Sequence, residues 1–327
     1  MERQIRAIED HPHAAQAFRQ LAEAHWSAGD RAGFAEFFRR AYLLGHKEIP
    51  AEANSGDRTQ NEVRVLRDRA TALIEHGVGY SRVIASLALA EAQLGNAEAV
   101  RHLVDYEKFF RHDTVAPPDG MGQQAFNAAL AAEIKSDLRY YESPETRAIR
   151  NGWRMNGLHR DDCPMLQRLM ALLRGHAERY IADLPWGAAH PFLAARPPRY
   201  EIDGWAVVSN AESFHQAHIH PDAWATGVYY VAEPEISRAS GSHTGWLRVG
   251  PPHMVPEAMR PYWGERLVPP AAGSFVIMPG YFFHETLPMG VDQERICIAF
   301  EIEPPELRFP HDGDDGTERV TMAPARA

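Results

Sequence analysis

The first half of the chain repeats its apolar residues at three- and four-residue spacing. In "AAQAFRQLAEAHWSAGDRAGFAEFFRRAYLLG" that rhythm breaks at Ala28-Gly29-Asp30, which predicts two helices joined by a tight turn. "SRVIASLALAEAQLGNAEAVRHLVDYEKFF" has the same form. Laying Phe18, Leu21 and Ala22 over Ile84, Leu87 and Ala88 also lays Gly29-Asp30 over Gly95-Asn96, an offset of 66 residues. Between them, "EVRVLRDRATALIEHG" is read as a place for a degenerate middle unit. A further helix is predicted at "CPMLQRLMALLRGHAERYIADL", capped by Asp161 and Asp162, with Pro164 in its first turn. Its apolar stripe, read as Met165, Leu169, Leu172 and Leu173, suits a helix that buttresses a sheet.

From about Tyr200 the pattern changes. "GWAVVSN", "ATGVYYVAE", "GWLRVG", "AGSFVIMPG" and "RICIAFEIE" are short apolar or alternating runs separated by Pro- and Gly-rich turns. Regularly punctuated short strands without intervening helical patterns predict an all-β sandwich or barrel rather than a parallel α/β fold. The whole is therefore an α+β multidomain chain, helical first and all-β second.

Composition narrows the function classes. The 327 residues suit more than one domain, and 45% hydrophobic with 24% charged residues is an ordinary globular balance. A net charge of −10 without a Lys/Arg cluster argues against a nucleic-acid partner. The start, "MERQIRAIEDHPHAAQ", has no apolar signal segment, and no run approaches the roughly 18 apolar residues of a membrane span. A cytoplasmic location is expected. The two cysteines, Cys163 and Cys297, are expected to be thiols rather than a disulfide.

Candidate chemistry lies in the second half. In "HIHPDAWATGVYYV" the potential ligands His218, His220 and Asp222 sit at alternate positions, which places them on one face if the strand continues through Pro221. In "MPGYFFHETLPMGVDQERICIAFEI", His284 follows the Pro279-Gly280 turn and Arg295 opens the last strong strand. A His-x-carboxylate pair with one distant His is the facial set of non-haem Fe(II) oxygenases. The chain has 17 histidines, so chance pairs occur. His215, His243 and His253 are read as surface or loop residues, and Trp205 and Trp224 chiefly as core. No Gly-x-Ser-x-Gly elbow, CxxC pair or HExxH helix is present.

These motifs carry a resemblance. Over residues 200–303 the chain resembles 2-oxoglutarate/Fe(II)-dependent oxygenases. It is nearest a bacterial group whose motif reads H-x-H-P, a spacer, then W-x-S/T-G-V-Y-Y. The far motif is similar to that of prolyl 4-hydroxylases. The resemblance implies a double-stranded β-helix (jelly-roll or cupin-like), with Fe(II), 2-oxoglutarate and O₂ as cofactor and cosubstrates. It implies His220 and His284 as metal ligands, with either Asp222 or His218 as the third. It implies Arg295 and Tyr230 as holders of 2-oxoglutarate. Trp224 and Asn210 are candidate substrate contacts. The helical half resembles tetratricopeptide repeats over about residues 11–110, twice the roughly 34-residue period matching the offset.

The expected domains are 1–135 helical, 136–199 linker and buttressing helix, 200–310 oxygenase barrel, and 311–327 a disordered tail. The implied reaction is hydroxylation, or another oxidation, of an unactivated C–H bond. The expected substrate is an amino-acid residue of a peptide or protein, or an amino-acid-derived small molecule. The helical repeats are read as a partner-docking groove, a brace or a dimerisation element. Two other readings stay open: a cupin-like metal dioxygenase or isomerase that does not use 2-oxoglutarate, and a non-catalytic interaction protein.

Overall fold

The computed structural model describes residues 11–49, 59–136, 141–142, 149–150, 153–156, 158, 163–187, 189–210, 213–235, 241, 243–290 and 293–307. The tail 311–327 and the cap expected from Asp161 and Asp162 lie outside the described residues. The chain divides into two compact units. One is Met1–Val104 with Gly187–Arg196 and His253–Trp263; the other is Asp105–Trp186, Pro197–Pro252 and Gly264–Ala327.

The first unit contains helices α1 (Ala14–Ser27), α2 (Arg31–Leu43), α3 (Gln60–Glu75), α4 (Ser81–Gln93) and α5 (Ala97–Leu103). α1 packs on α2, and α3 on α4. The helix ends share one device. Gly29, Gly77 and Gly95 adopt φ of 80°, 78° and 79°. The residue after each donates its N–H back five positions: Asp30 to His25 O, Val78 to Leu73 O, and Asn96 to Glu91 O. A left-handed glycine followed by this back-bond satisfies carbonyls that the ending helix would orphan. "EVRVLRDRATALIEHG" forms the single helix α3 and its turn rather than a helix pair of its own. Its Arg69 grips Glu23 of α1 through two hydrogen bonds of 2.7 Å each, beside the Trp26 ring.

The second unit is built on two antiparallel sheets. Its strands are β1 (Arg111–Thr114), β2 (Tyr141–Glu142), β3 (Ile149–Arg150), β4 (Trp153–Met155), β5 (Glu201–Ser209), β6 (Phe214–His218), β7 (Ala225–Ala232), β8 (Leu247–Val249), β9 (Arg266–Val268), β10 (Ser274–Pro279), β11 (His284–Thr286) and β12 (Arg295–Glu303). The large sheet has the order β1-β10-β7-β12-β5-β4-β2 and the small one β3-β6-β11-β8-β9. All five runs expected to be strands are strands. β1 was not anticipated, because its sequence "RHDT" is polar, and of β6 ("FHQAH") only the His218 end was expected to be strand.

β12 lies at the centre of the large sheet, paired with β5 and β7, and its alternation sorts residues onto two faces. Arg295, Cys297, Ala299, Glu301 and Glu303 face the cavity described below. Phe300 faces the other way and stacks on Phe275 of β10. That outer face is covered by helices α6 (Gln123–Ser136) and α7 (Pro164–Asp183). Gln123 and Asn127 of α6 hydrogen-bond the Tyr229 hydroxyl. His176 and Tyr180 of α7 pack on Phe275 and Trp224.

α7 is thus the expected buttress, with its stripe turned by one position. The buried residues are Leu166, Leu169, Met170, Leu173, Ala177, Tyr180 and Ile181, while Met165 and Leu172 are half-buried. Its N-terminus is held from α6, where the Glu133 carboxylate accepts from the backbone N–H of Met165 and Leu166 at 2.9 and 3.0 Å. Both cysteines are buried free thiols.

Gly227 of "TGVYY" occupies a point where no side chain fits. A Cβ there would lie 2.3 Å from the Phe300 ring and 2.4 Å from Val276 O. Gly227→Ala is therefore expected to destabilise the chain by about 1–3 kcal/mol, read as a lower denaturant midpoint with an unchanged m-value.

Candidate metal centre

Three histidines converge between the sheets. One ring nitrogen from each of His218, His220 and His284 lies within 4.8 Å of the others. Register explains two of these positions, His218 and His284. β6 and β11 pair antiparallel with His218 directly opposite His284, and their ring centroids are 4.3 Å apart.

His220 arrives differently, because β6 ends at His218. Its backbone N–H donates to Gly280 O at 2.9 Å, and the Gly280 N–H donates to Trp224 O at 2.9 Å. The Pro279-Gly280 turn thus fastens the segment after β6 in place of a continued ladder. Strand alternation does not extend to Asp222, which lines the same cavity but is not in the three-nitrogen cluster.

The hydrogen bonds fix which nitrogen faces inward. Nδ1 of His218 lies 2.7 Å from Gln216 O, and Nδ1 of His284 lies 2.9 Å from Phe282 O. A carbonyl only accepts, so each Nδ1 carries the hydrogen. Nδ1 of His220 contacts the Glu301 carboxylate. With all three rings in this tautomer, the Nε2 lone pairs are the ones turned toward one another. Nε2 of His220 and Nε2 of His284 stand 3.2 Å apart. Two neutral nitrogens at that distance have no proton to share, and a cation is what such a set accommodates.

Electrostatics keep the rings neutral. Burial, then the neighbouring His220, pulls His218 down to about 3. Burial and the Arg154 guanidinium pull His220 down to about 3, against the opposing pull of Asp222. Burial with His218 and His220 holds His284 well below the ordinary range. Neutral imidazoles are competent ligands at neutral pH. Glu301 moves the other way, pushed up to about 7 by burial and by Asp203 and Asp222, while Glu303 and Arg154 oppose the shift.

The histidines open into a cavity of about 570 Å³, a size that takes small molecules. Trp205, Val207, Val228 and Tyr230 form much of its apolar wall. Arg295 lines it too and is only 1% exposed. Its Nη1 donates to Gly245 O at 2.9 Å and its Nη2 to Ser209 Oγ at 3.2 Å. Its buried Nε has no hydrogen-bond partner among the described residues. A buried donor without an acceptor is costly, and a carboxylate in the cavity would supply one. The Tyr230 phenol, raised by burial, remains a hydroxyl.

Other expectations turn out differently. Trp224 does not line the cavity; it is buried against Tyr180. Asn210 is exposed and closes a turn, its Oδ1 accepting from Ser213 Oγ at 2.9 Å. Neither lines this cavity. His215, read as a surface residue, lines the cavity and lies 3.2 Å from Thr286 Oγ1 through Nδ1. His243 and His253 are exposed. Sequence reasoning also missed Glu301. The only signal was its place on the cavity-facing alternation of "RICIAFEIE".

A pH dependence follows. Below the ordinary histidine value of 6.5, the unfolded chain takes up protons that the folded site refuses. Stability should therefore be full above about pH 6.5 and fall as pH drops toward the folded values near 3, by up to about 1.4 kcal/mol per pH unit for each such histidine. Urea midpoints of the metal-free protein at falling pH test this, and His218→Gln should flatten the slope.

Comparison with known proteins places the site in context. No curated protein matches the chain. Solved structures similar to the chain at low identity include the following three. A prolyl-4-hydroxylase from Pseudomonas putida is 17% identical with a TM-score of 0.40, covering 62% of this chain and 98% of its own. A prolyl hydroxylase from Trichoplax adhaerens, in complex with a hypoxia inducible factor oxygen degradation domain peptide fragment, is 13% identical with a TM-score of 0.45, covering 66% and 94%. HygX from Streptomyces hygroscopicus, with nickel and 2-oxoglutarate bound, is 12% identical with a TM-score of 0.42, covering 62% and 86%. Likenesses at this level carry no argument about activity. The family match is narrower: it covers residues 203–301. That segment, which holds all three histidines, Tyr230, Arg295 and Glu301, matches the model of a putative 2OG-Fe(II) oxygenase family, whose cofactor set is Fe(II), 2-oxoglutarate and O₂.

Proposed function

We propose that the chain is a non-haem Fe(II)- and 2-oxoglutarate-dependent oxygenase that oxidises an unactivated C–H bond, by hydroxylation in the default case. The observation that carries this reading is the meeting, in one cavity, of three inward-turned imidazole nitrogens with a buried guanidinium whose Nε lacks an acceptor among the described residues. His218, His220 and His284 would hold the metal, and Arg295 with Tyr230 the far carboxylate of 2-oxoglutarate. When bound, the iron, 2-oxoglutarate and O₂ supply the oxidising power, 2-oxoglutarate leaving as succinate and CO₂.

The chain's own residues do the rest. The carbonyl and carboxylate acceptors on each Nδ1 hold the rings in one tautomer. Arg295 offers a charged, geometrically fixed donor set at the far side of the cavity. Trp205, Val207 and Val228 exclude water and shape the space in which a substrate carbon is aimed.

The cavity-bearing β region is read as a double-stranded β-helix, and the helical hairpins as a tetratricopeptide-like brace or docking module. An amino-acid residue of a peptide or protein, or an amino-acid-derived small molecule, is the proposed substrate. The likeness of the "HETLP" to "ER" stretch to prolyl 4-hydroxylases and the helical module support that choice.

Purified protein with Fe(II) and ascorbate should convert 2-oxoglutarate slowly to succinate without added substrate. Folded protein that binds no Fe(II) and yields no succinate would sink the reading. Arg295→Ala should raise the 2-oxoglutarate concentration needed for half-maximal succinate formation at least ~10-fold, the loss of a hydrogen bond to a charged group. An unchanged requirement would favour a metal enzyme that does not use this cosubstrate. For the third ligand, His218→Ala should weaken Fe(II) binding far more than Asp222→Ala, measured by anaerobic titration.

A further inference from the structure

A carboxylate at a metal site normally sits on the metal, and the three-nitrogen cluster contains none. One stands immediately behind it. Glu301 projects from β12 on the cavity-facing alternation, is 8% exposed, and contacts His220 Nδ1 across 81 residues of sequence. His218 and His284 are held differently, each by the backbone carbonyl two residues before it. His220 shows no such backbone acceptor for Nδ1 among the described residues, and its own backbone N–H donates to Gly280 O.

We propose that Glu301 is a positioning residue of the metal centre. Its carboxylate accepts the His220 Nδ1–H, turns Nε2 into the cluster, and lends through the ring the negative charge that three neutral imidazoles lack. This rests on the metal-binding reading proposed above.

The physical argument has two parts. A ring free to rotate about its last bond presents Nε2 to the cavity only part of the time, and a fixed acceptor on Nδ1 removes that freedom. A carboxylate on Nδ1 also makes the opposite nitrogen more basic than a backbone carbonyl does, and a cation on Nε2 in turn favours the charged carboxylate, so the two strengthen each other. The interaction is buried on both sides, the two side chains each being 10% exposed, so water screens it little. The neighbours fit such a role. Arg154 lines the same cavity as His220 and Glu301, its guanidinium 4.1 Å from the Trp205 ring centroid.

The test uses the full chain and Co(II), whose visible bands report coordination. Wild-type protein is titrated beside Glu301→Ala and Glu301→Gln, with folding checked by circular dichroism. Glu301→Ala should weaken Co(II) binding about 10–100-fold and alter the visible spectrum. Glu301→Gln, which keeps a neutral acceptor for Nδ1–H, should recover part of the affinity and the wild-type band pattern. A Glu301→Ala protein that binds Co(II) within about threefold of wild type, with the same spectrum, overturns the proposal while leaving the metal site standing. Wild-type protein that binds no Co(II) overturns the metal reading itself.

Discussion

Three lone pairs aimed at one point are the constraint around which the second unit is arranged. Neutral nitrogens whose lone pairs face one another repel, and burying them forfeits their bonds to water. The chain meets this cost with acceptors on the outer nitrogens and with rigid backbone. His218 and His284 are opposite partners in a strand pair, so their approach is set by register. His220 is brought in by a turn on the large sheet and held from behind by the last strand. The cluster therefore draws on both sheets, and slipping either by one residue would send a ring to the wrong face.

Much of this was legible in the sequence, for reasons that differ by element. The helix hairpins announced themselves through Gly29 and Gly95, because a left-handed stop strongly favours glycine and recurs in the structure at nearly the same φ. The long strands were legible because they are buried on both faces: β5 carries no exposed residue. β6 was not, because a strand that borders a cavity replaces apolar residues with histidine and glutamine. His215 was misplaced for the same reason.

The near ligands show where alternation stops being informative. His218, His220 and Asp222 are evenly spaced, yet the strand ends at the first of them. Beyond it, a backbone bond to Gly280 decides direction. Glu301 was hidden because the pairing that gives it meaning spans 81 residues, and pattern reading within one segment has no access to such a partner. Trp224 lies next to the ligand run in sequence, but the backbone bond from its N–H to Ile302 O places it among core residues instead.

β12 carries one more consequence. A single strand presents Arg295 at one end of its inner face and Glu301 and Glu303 at the other, six to eight residues away, or about 20–26 Å at strand rise. Near the second end, Asp203 and Asp222 join them, with the Arg154 guanidinium opposing. The cavity is thus electrically directional along its length. A molecule with unequal charge at its two ends meets a preferred heading before any specific contact forms. The strand acts as a compass needle built into the wall.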